Sequence, residues 1–468
     1  MVSLFKINDP YRLVLVFFLL ILFRLPYLLN SSPVSVPELE WLVLGEKLAS
    51  GAKLYTEVYH PTGPLSAGIY WIFSEIFGRS PLPLRISGIL LVFIEASFLS
   101  FILINHKAYN LNTYLPSLVF IILLSFFPES ALLSPQLISM FFLLMAFNLI
   151  FSHVESRVKS DWVVLYSGFY TGLAGLAYLP SSLFILSILA TLILFTNTVG
   201  RRYFLLMYGF ITPYILTWLY FFWKGDADML MTNFFMSFAY KSTNLPANHI
   251  TLLALISGPV IFMVFSIFLI MTRSNLISLQ VIFQNFMFIV LITGLAVFSL
   301  DYHFTPLCLI VLFIPMSFYL SQLFVIIDRR WLAESLFYAL LVLTLGNGYL
   351  SFFGIFSVDE RLSAKKYIPA ETRFEVITNG KKVLYIGDQP EVYMNARLAT
   401  PYFSWAISKK YLKDADDPEI LAEVTQQIIA DSPDVIIDGE NLIAGFFSRS
   451  PQLEAKYRED GEGIYYLR

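Results

Sequence analysis

Charge is scarce in this chain. Only 14% of its 468 residues are Asp, Glu, Lys or Arg, against about a quarter in an ordinary soluble domain, too few to cover a globular surface. Cysteine is scarcer still. The single Cys308 lies in an apolar run, so neither a disulfide framework nor a cysteine metal site can form within one chain. There is no excess of positive charge either. Lys and Arg number 31 against 34 Asp and Glu, a net charge of −3, which excludes a strongly basic nucleic-acid binder. No internal repeat or low-complexity tract is visible.

What remains is apolar and comes in blocks: 57% of the residues are hydrophobic and 17% aromatic. Runs such as Tyr11–Leu29, Leu82–Ile104 and Thr251–Met271 reach or approach the roughly 20 residues that carry a helix across a bilayer. The blocks predict about eleven spans, at 11–29, 82–104, 112–128, 134–152, 162–178, 181–197, 203–223, 251–272, 281–299, 304–326 and 332–353. Pro135 and Pro180 stand at two of these boundaries, where a proline marks either a loop or a kink. Lys6 and Arg12 precede the first run as they would in a signal peptide. That run is longer than a typical signal core, contains Arg24 and is followed by no small-residue cleavage motif, so it reads as a retained helix.

The basic residues predict an orientation. With a cytoplasmic N-terminus, Lys107, Arg157 and Lys159, Arg201 and Arg202, Arg273, and Arg329 and Arg330 all fall in cytoplasmic turns. The opposite short turns near 128–135, 178–182 and 300–304 hold no Lys or Arg. This is the distribution the positive-inside rule demands, and an odd number of spans puts the C-terminal segment outside. Residues after Ser357, about a quarter of the chain, carry about half of its charges. There Val383–Asp388, Val435–Ile437 and Ile464–Leu467 read as strands and Pro418–Ala430 as an amphipathic helix. The expectation is an all-α polytopic bundle over 1–356, including an outer loop at 30–81, and a small soluble α/β domain outside the membrane over 357–468.

The first outer loop carries the densest pattern. Glu38–Ser50 reads as a helix along the membrane surface that stops at Gly51. Tyr55–Pro64 reads as an irregular loop fixed by Pro61, Gly63 and Pro64, and Leu65–Phe77 as a second, aromatic surface helix. Glu38, Trp41, Gly51, Tyr55, Glu57, Pro64-Leu65, Phe77-Gly78 and Arg85 follow one another at spacings that resemble the GT-C superfamily of membrane glycosyltransferases. Within it the likeness is to the protein-mannosyltransferase and aminoarabinose-transferase-like branch. Specific residues match over about fifty positions, and the bundle with its polar C-terminal domain matches in layout. Two positions depart from the pattern. The acidic pair of that branch opens with Asp, where this chain has Pro37, and a basic residue precedes its double proline, where this chain has Thr62-Gly63.

The resemblance implies a polyprenyl-phosphate sugar donor, used on the outer face of the inner (plasma) membrane, and a lipid, glycan or protein acceptor. It implies Glu38 as the base, with Glu57 and Glu40 as acid or metal partners. A carboxylate at the lipid–water boundary has its pKa moved toward the working pH. Arg85, Arg24, His60, Tyr302 and His303 are the candidate contacts to the donor phosphate, whose charge Arg and His would neutralise. A divalent metal is left open. Each candidate also has a plainer reading: solvated loop carboxylates, arginines snorkelling to headgroups, an interfacial turn at Asp301-Tyr302-His303. The loop Lys224–His249, rich in Met and Phe, fits either a lipid or acceptor groove or an ordinary amphipathic helix. Two other functions stay open. One is an inactive GT-C-like scaffold that binds a partner subunit in envelope assembly or secretion, favoured by Pro37. The other is a transporter or flippase, disfavoured by the near absence of paired charge within the spans and of an inverted repeat.

Overall fold

The structure, a computed structural model, describes residues 1–29, 34–155, 161–196, 198–237, 249–273, 276–300, 305–353, 374–399, 401–412, 417–461 and 463–468. The chain forms two compact units, each drawn from three separate stretches. One comprises Met1–Ser32, Leu82–Thr217 and Pro246–Lys366, the other Pro33–Pro81, Trp218–Leu245 and Tyr367–Arg468.

The first unit is helical. Among the described residues, six helices are long and apolar enough to cross a membrane: Pro81–Asn105, Pro135–Val154, Gly200–Lys224, Ser278–Ser299, Pro306–Ile326 and Arg330–Leu350. Leu115–Leu124, Leu179–Phe195 and Ser257–Arg273 are apolar but shorter, and the Tyr11–Leu29 helix carries Arg12 and Arg24. With Asp161–Ala177, a helix overlaps each of the eleven expected stretches. Proline starts several of them, since its missing N–H is unbonded there in any case. Pro135 is such a start, behind Ser134, whose hydroxyl accepts the Leu137 N–H at 3.1 Å. Pro180 lies within a 3₁₀ turn, Leu179–Leu183. Pro306–Ile326 is buried on nearly every side, which suits a segment apolar all round. Small residues bring helices together: a Cβ at Gly168 would strike the Leu206 carbonyl, and one at Gly209 would strike the Leu165 carbonyl.

The second unit contains a five-stranded sheet. Its strands are β1 (Lys382–Ile386), β2 (Arg397–Leu398), β3 (Val435–Asp438), β4 (Tyr457–Glu459) and β5 (Ile464–Leu467), in the order β2-β1-β3-β5-β4. β1 runs parallel to β2 and β3, and β5 antiparallel to β3 and β4. Inward residues of β1 and β3 (Leu384, Ile386, Ile436) pack with Ile407, Val424, Ile428, Ile443 and Phe446. Asp438, at the end of β3, accepts the N–H groups of Leu442 and Ile443 at 3.1 and 2.7 Å and so starts the Ile443–Arg449 helix.

The first loop is built into this core. Tyr59 is one of its buried members, its N–H donates to the Pro401 carbonyl at 2.8 Å, and its carbonyl accepts the Ser404 N–H at 2.9 Å. Lys47 pairs with Asp431 at 3.4 Å. Arg79 bonds Glu46 at 3.2 Å, the Ala396 carbonyl at 2.7 Å and the Tyr393 carbonyl. Residues 33–81 thus group with the C-terminal segment, a tie that no local sequence pattern announces.

Candidate functional site

Two helices and the turn between them make up the first loop. Val36–Ala49 starts at Ser35, and Glu38 at its third position reaches back to accept the Ser35 N–H at 3.3 Å. This is the glutamate half of a capping box, and Glu38 is only 1% exposed. The helix ends before Gly51, whose φ of +96° suits glycine. Pro64–Phe77 begins with Pro64 in its first turn and ends at Gly78, φ +64°. The two helices approach closely where Gly45 faces the Tyr70 carbonyl and Trp41 stacks on the Tyr70 ring, centroids 5.6 Å apart.

Between the helices the chain turns tightly at Lys53–Val58. The N–H groups of Glu57 and Val58 both donate to the Lys53 carbonyl, at 2.9 and 3.2 Å, and the exposed Glu57 carboxylate accepts the Lys53 N–H at 2.9 Å. Tyr55 stands inside this turn with φ +69° and is fully buried. Burial keeps its phenol well above the ordinary tyrosine value, so it remains an O–H donor, and it gives that hydrogen bond to the Thr62 carbonyl at 2.7 Å.

His60 and Glu40 come together beyond that turn. The Thr62 hydroxyl lies 2.8 Å and the Thr62 N–H 3.3 Å from His60 Nδ1. A backbone N–H can only donate, so Nδ1 is an acceptor and the neutral ring carries its proton on Nε2. Nε2 faces the Glu40 carboxylate, 3.7 Å from Oε2, a separation that a water can bridge. The ring is 3% exposed and stacks on Phe403, centroids 5.2 Å apart. Phe403 in turn meets Tyr393 edge-on at 5.6 Å. Glu391, two residues before Tyr393, lies near Glu40. Burial raises its carboxyl above the usual range, and the charges of Glu40 and Asp388 add to that. Glu40 sits on the same helix as Glu38 but about 200° around it, so the two carboxylates serve different neighbours.

The remaining sequence candidates fall elsewhere. Arg24, in the helical unit, is 3% exposed and lies against a helix end: Nη1 donates to the Phe127 carbonyl at 2.9 Å, and Nη2 to the Leu124 carbonyl and to the Ser130 hydroxyl at 3.0 Å. The Ser130 hydroxyl donates to both carbonyls as well, so guanidinium and hydroxyl together close the C-terminal end of the Leu115–Leu124 helix. Arg85 is half-buried near the start of Pro81–Asn105. Tyr302 and His303 lie outside the described residues. Among the described residues no three His, Cys, Asp or Glu side chains are grouped to hold a metal ion. Thr62 and Glu391 were not among the sequence candidates. A threonine two residues after a histidine is a faint signal, and Glu391 has none.

No protein-family model matches the chain, and no curated protein matches it in sequence. Solved structures do. ArnT from Cupriavidus metallidurans, solved bound to undecaprenyl phosphate, superposes with a TM-score of 0.59 at 10% identity, over 98% of this chain and 98% of that one. The archaeal oligosaccharyltransferase AglB from Archaeoglobus fulgidus, solved in complex with an inhibitory peptide and a dolichol-phosphate, does so with a TM-score of 0.50 at 10% identity, over 98% of this chain and 74% of that one. At this identity the likeness is one of fold, and it agrees with the resemblance carried by the first loop. The chain shares the fold of these two solved structures.

Proposed function

We propose that this protein is a membrane glycosyltransferase that moves a sugar from a polyprenyl-phosphate carrier to a lipid, glycan or protein acceptor, with Glu40 as the base. The observation that carries the reading is the Thr62–His60–Glu40 line, with His60 Nε2 3.7 Å from a half-buried carboxylate, in a fold whose solved examples hold undecaprenyl phosphate and dolichol-phosphate. Glu40 would take the proton of the acceptor hydroxyl as its oxygen attacks the anomeric carbon. The bond from that carbon to the carrier phosphate would break, leaving polyprenyl phosphate. His60 lies beside the carboxylate that would act as the base. Glu38 keeps its capping work and Glu57 its turn.

Arg85, Tyr302 and His303 are proposed as donor-phosphate contacts on the strength of the loop's resemblance. Eleven spans, a cytoplasmic N-terminus and an outer location for the first loop and residues 357–468 are proposed on the charge asymmetry of the turns. Reconstitution tests the function. Proteoliposomes with the purified protein, membrane lipids as acceptors and a panel of polyprenyl-phosphate sugars should lose carrier-bound sugar and accumulate free polyprenyl phosphate. A carrier left intact across the panel by folded protein overturns the reading in favour of a scaffold. Movement of intact carrier between leaflets would instead mark a flippase.

A further inference from the structure

Three stretches of the second unit meet at Asn233. This residue lies in a π-helical turn, Met231–Phe235, and is fully buried. Its Nδ2 donates to the Tyr55 carbonyl at 2.8 Å, and its Oδ1 accepts the Tyr411 hydroxyl at 3.2 Å. The amide orientation follows from its partners, because a carbonyl oxygen can only accept. One side chain of the 218–245 stretch therefore joins the first loop to the C-terminal segment. Nearby, Lys53 pairs with Asp226 at 3.3 Å, and the rings of Phe221 and Phe234 lie 5.6 and 6.0 Å from that of Tyr55.

The residue held at the centre is strained. A buried aromatic at φ +69° is an outlier that costs about 1–3 kcal/mol and persists only where its surroundings over-determine it. Tyr55 is fixed at its N–H by the Val58 carbonyl at 3.0 Å, at its carbonyl by Asn233, and at its hydroxyl by the Thr62 carbonyl. From Thr62 the line continues to His60 Nδ1 and across the ring to Glu40.

We propose that Asn233 is a positioning residue for Glu40 and His60, acting through the strained Tyr55 turn. The proposal rests on the function given above and deepens it. The 226–237 segment, which touches neither Glu40 nor His60 in the contacts described, sets the geometry of the base. Its side chain takes no part in the chemistry.

The test has two arms. In the first, amide hydrogen exchange is followed in full-length protein in nanodiscs. Asn233→Ala should speed exchange at Tyr55, Glu57, Val58 and Thr62 by about tenfold or more while amides of β1 and β3 stay as in wild type. Unchanged exchange in the turn overturns the proposal whether or not transfer has been found, and equal acceleration throughout the unit overturns it in favour of general loosening. In the second arm, transfer is measured. Asn233→Ala should lower kcat about 10- to 100-fold, the scale of a reacting group misplaced by about 1 Å, with KM for the carrier little changed. Tyr55→Phe, which cuts the same line one step on, should lower kcat similarly, and the double variant should be no worse than the worse single one. Multiplying effects would show two independent contributions and refute the series arrangement. A loosened turn with unchanged kcat would sink the positioning role and leave the proposed function standing.

Discussion

Glu38 and Glu40 lie two residues apart on one helix, and substitution with Gln separates their roles. Glu38 is buried and accepts the Ser35 N–H. Capping boxes accept Gln as readily as Glu, so Glu38→Gln should keep the hydrogen bond, the fold and the transfer rate to within about threefold. Glu38→Ala should lose the cap, worth about 1 kcal/mol, and lower the melting temperature by a few degrees. Glu40→Gln keeps shape and removes the group that takes the proton. A general base contributes roughly 10²- to 10⁴-fold, or about 3–5 kcal/mol of barrier at 1.36 kcal/mol per tenfold. The expected result is a loss of at least about 100-fold in release of polyprenyl phosphate, at unchanged melting temperature. His60→Gln should fall between, since it loses the Nε2–H but not the carboxylate. Release of free carrier from a labelled polyprenyl-phosphate sugar is the assay, with each variant's melting curve in the same detergent as its control. If Glu38→Gln abolishes transfer in folded protein while Glu40→Gln is harmless, the assignment of base and cap is reversed and the argument from hydrogen-bond partners fails.

Other outcomes follow from single contacts. Arg24→Met removes the guanidinium hydrogen bonds to the Leu124 and Phe127 carbonyls, which keep only the Ser130 hydroxyl and, at Phe127, the Ser130 N–H, so folding should weaken by about 1–3 kcal/mol and less folded protein should survive heating. Transfer lost at unchanged melting would give Arg24 a donor-binding role instead. Glu391 has a carboxyl pKa raised above 4.5 by burial first and by Glu40 and Asp388 next. The native state therefore binds its proton more tightly than the unfolded chain. The stability it contributes is full below the ordinary carboxylate value and is lost as pH rises through the raised one. Glu391→Gln, neutral throughout, should match wild type near pH 4 and melt at a higher temperature at pH 8. Equal melting at both pH values would refute the burial argument. Gly209→Ala would press a methyl group into the Leu165 carbonyl and should cost about 1–3 kcal/mol; melting like wild type would rule out the close helix crossing.

Much of the fold is legible in the sequence because its two strongest signals are local. Long apolar runs become helices in lipid because the backbone has no other way to satisfy its hydrogen bonds. The central strands β1, β3 and β5 are short apolar runs that read as such. β2, two residues long, and the edge strand β4 with its Arg458 and Glu459 carry too little pattern to stand out. The candidate site is less legible. Ser35-Val-Pro-Glu38 has the spacing of a capping box, while Glu38 as the base is what the loop's resemblance implies. Glu40 and His60 are twenty residues apart and meet only because the turn at Tyr55 folds back. Nothing in the local sequence marks Asn233, whose partners lie 178 residues away on either side.

The second unit's three-part construction has a consequence for how the chain is made. Lys47 and Asp431 are partners across 384 residues. At about 5–20 residues per second, a ribosome needs some 20–80 s to travel from one to the other. Through that interval the newly made first loop has no sheet to join, and Tyr59 must hydrogen-bond to water or to a chaperone until Pro401 and Ser404 arrive. Assembly of this unit is therefore late in synthesis. A nascent chain stalled or cut before Pro401 would leave Tyr59 and Lys47 without the partners that the C-terminal segment supplies.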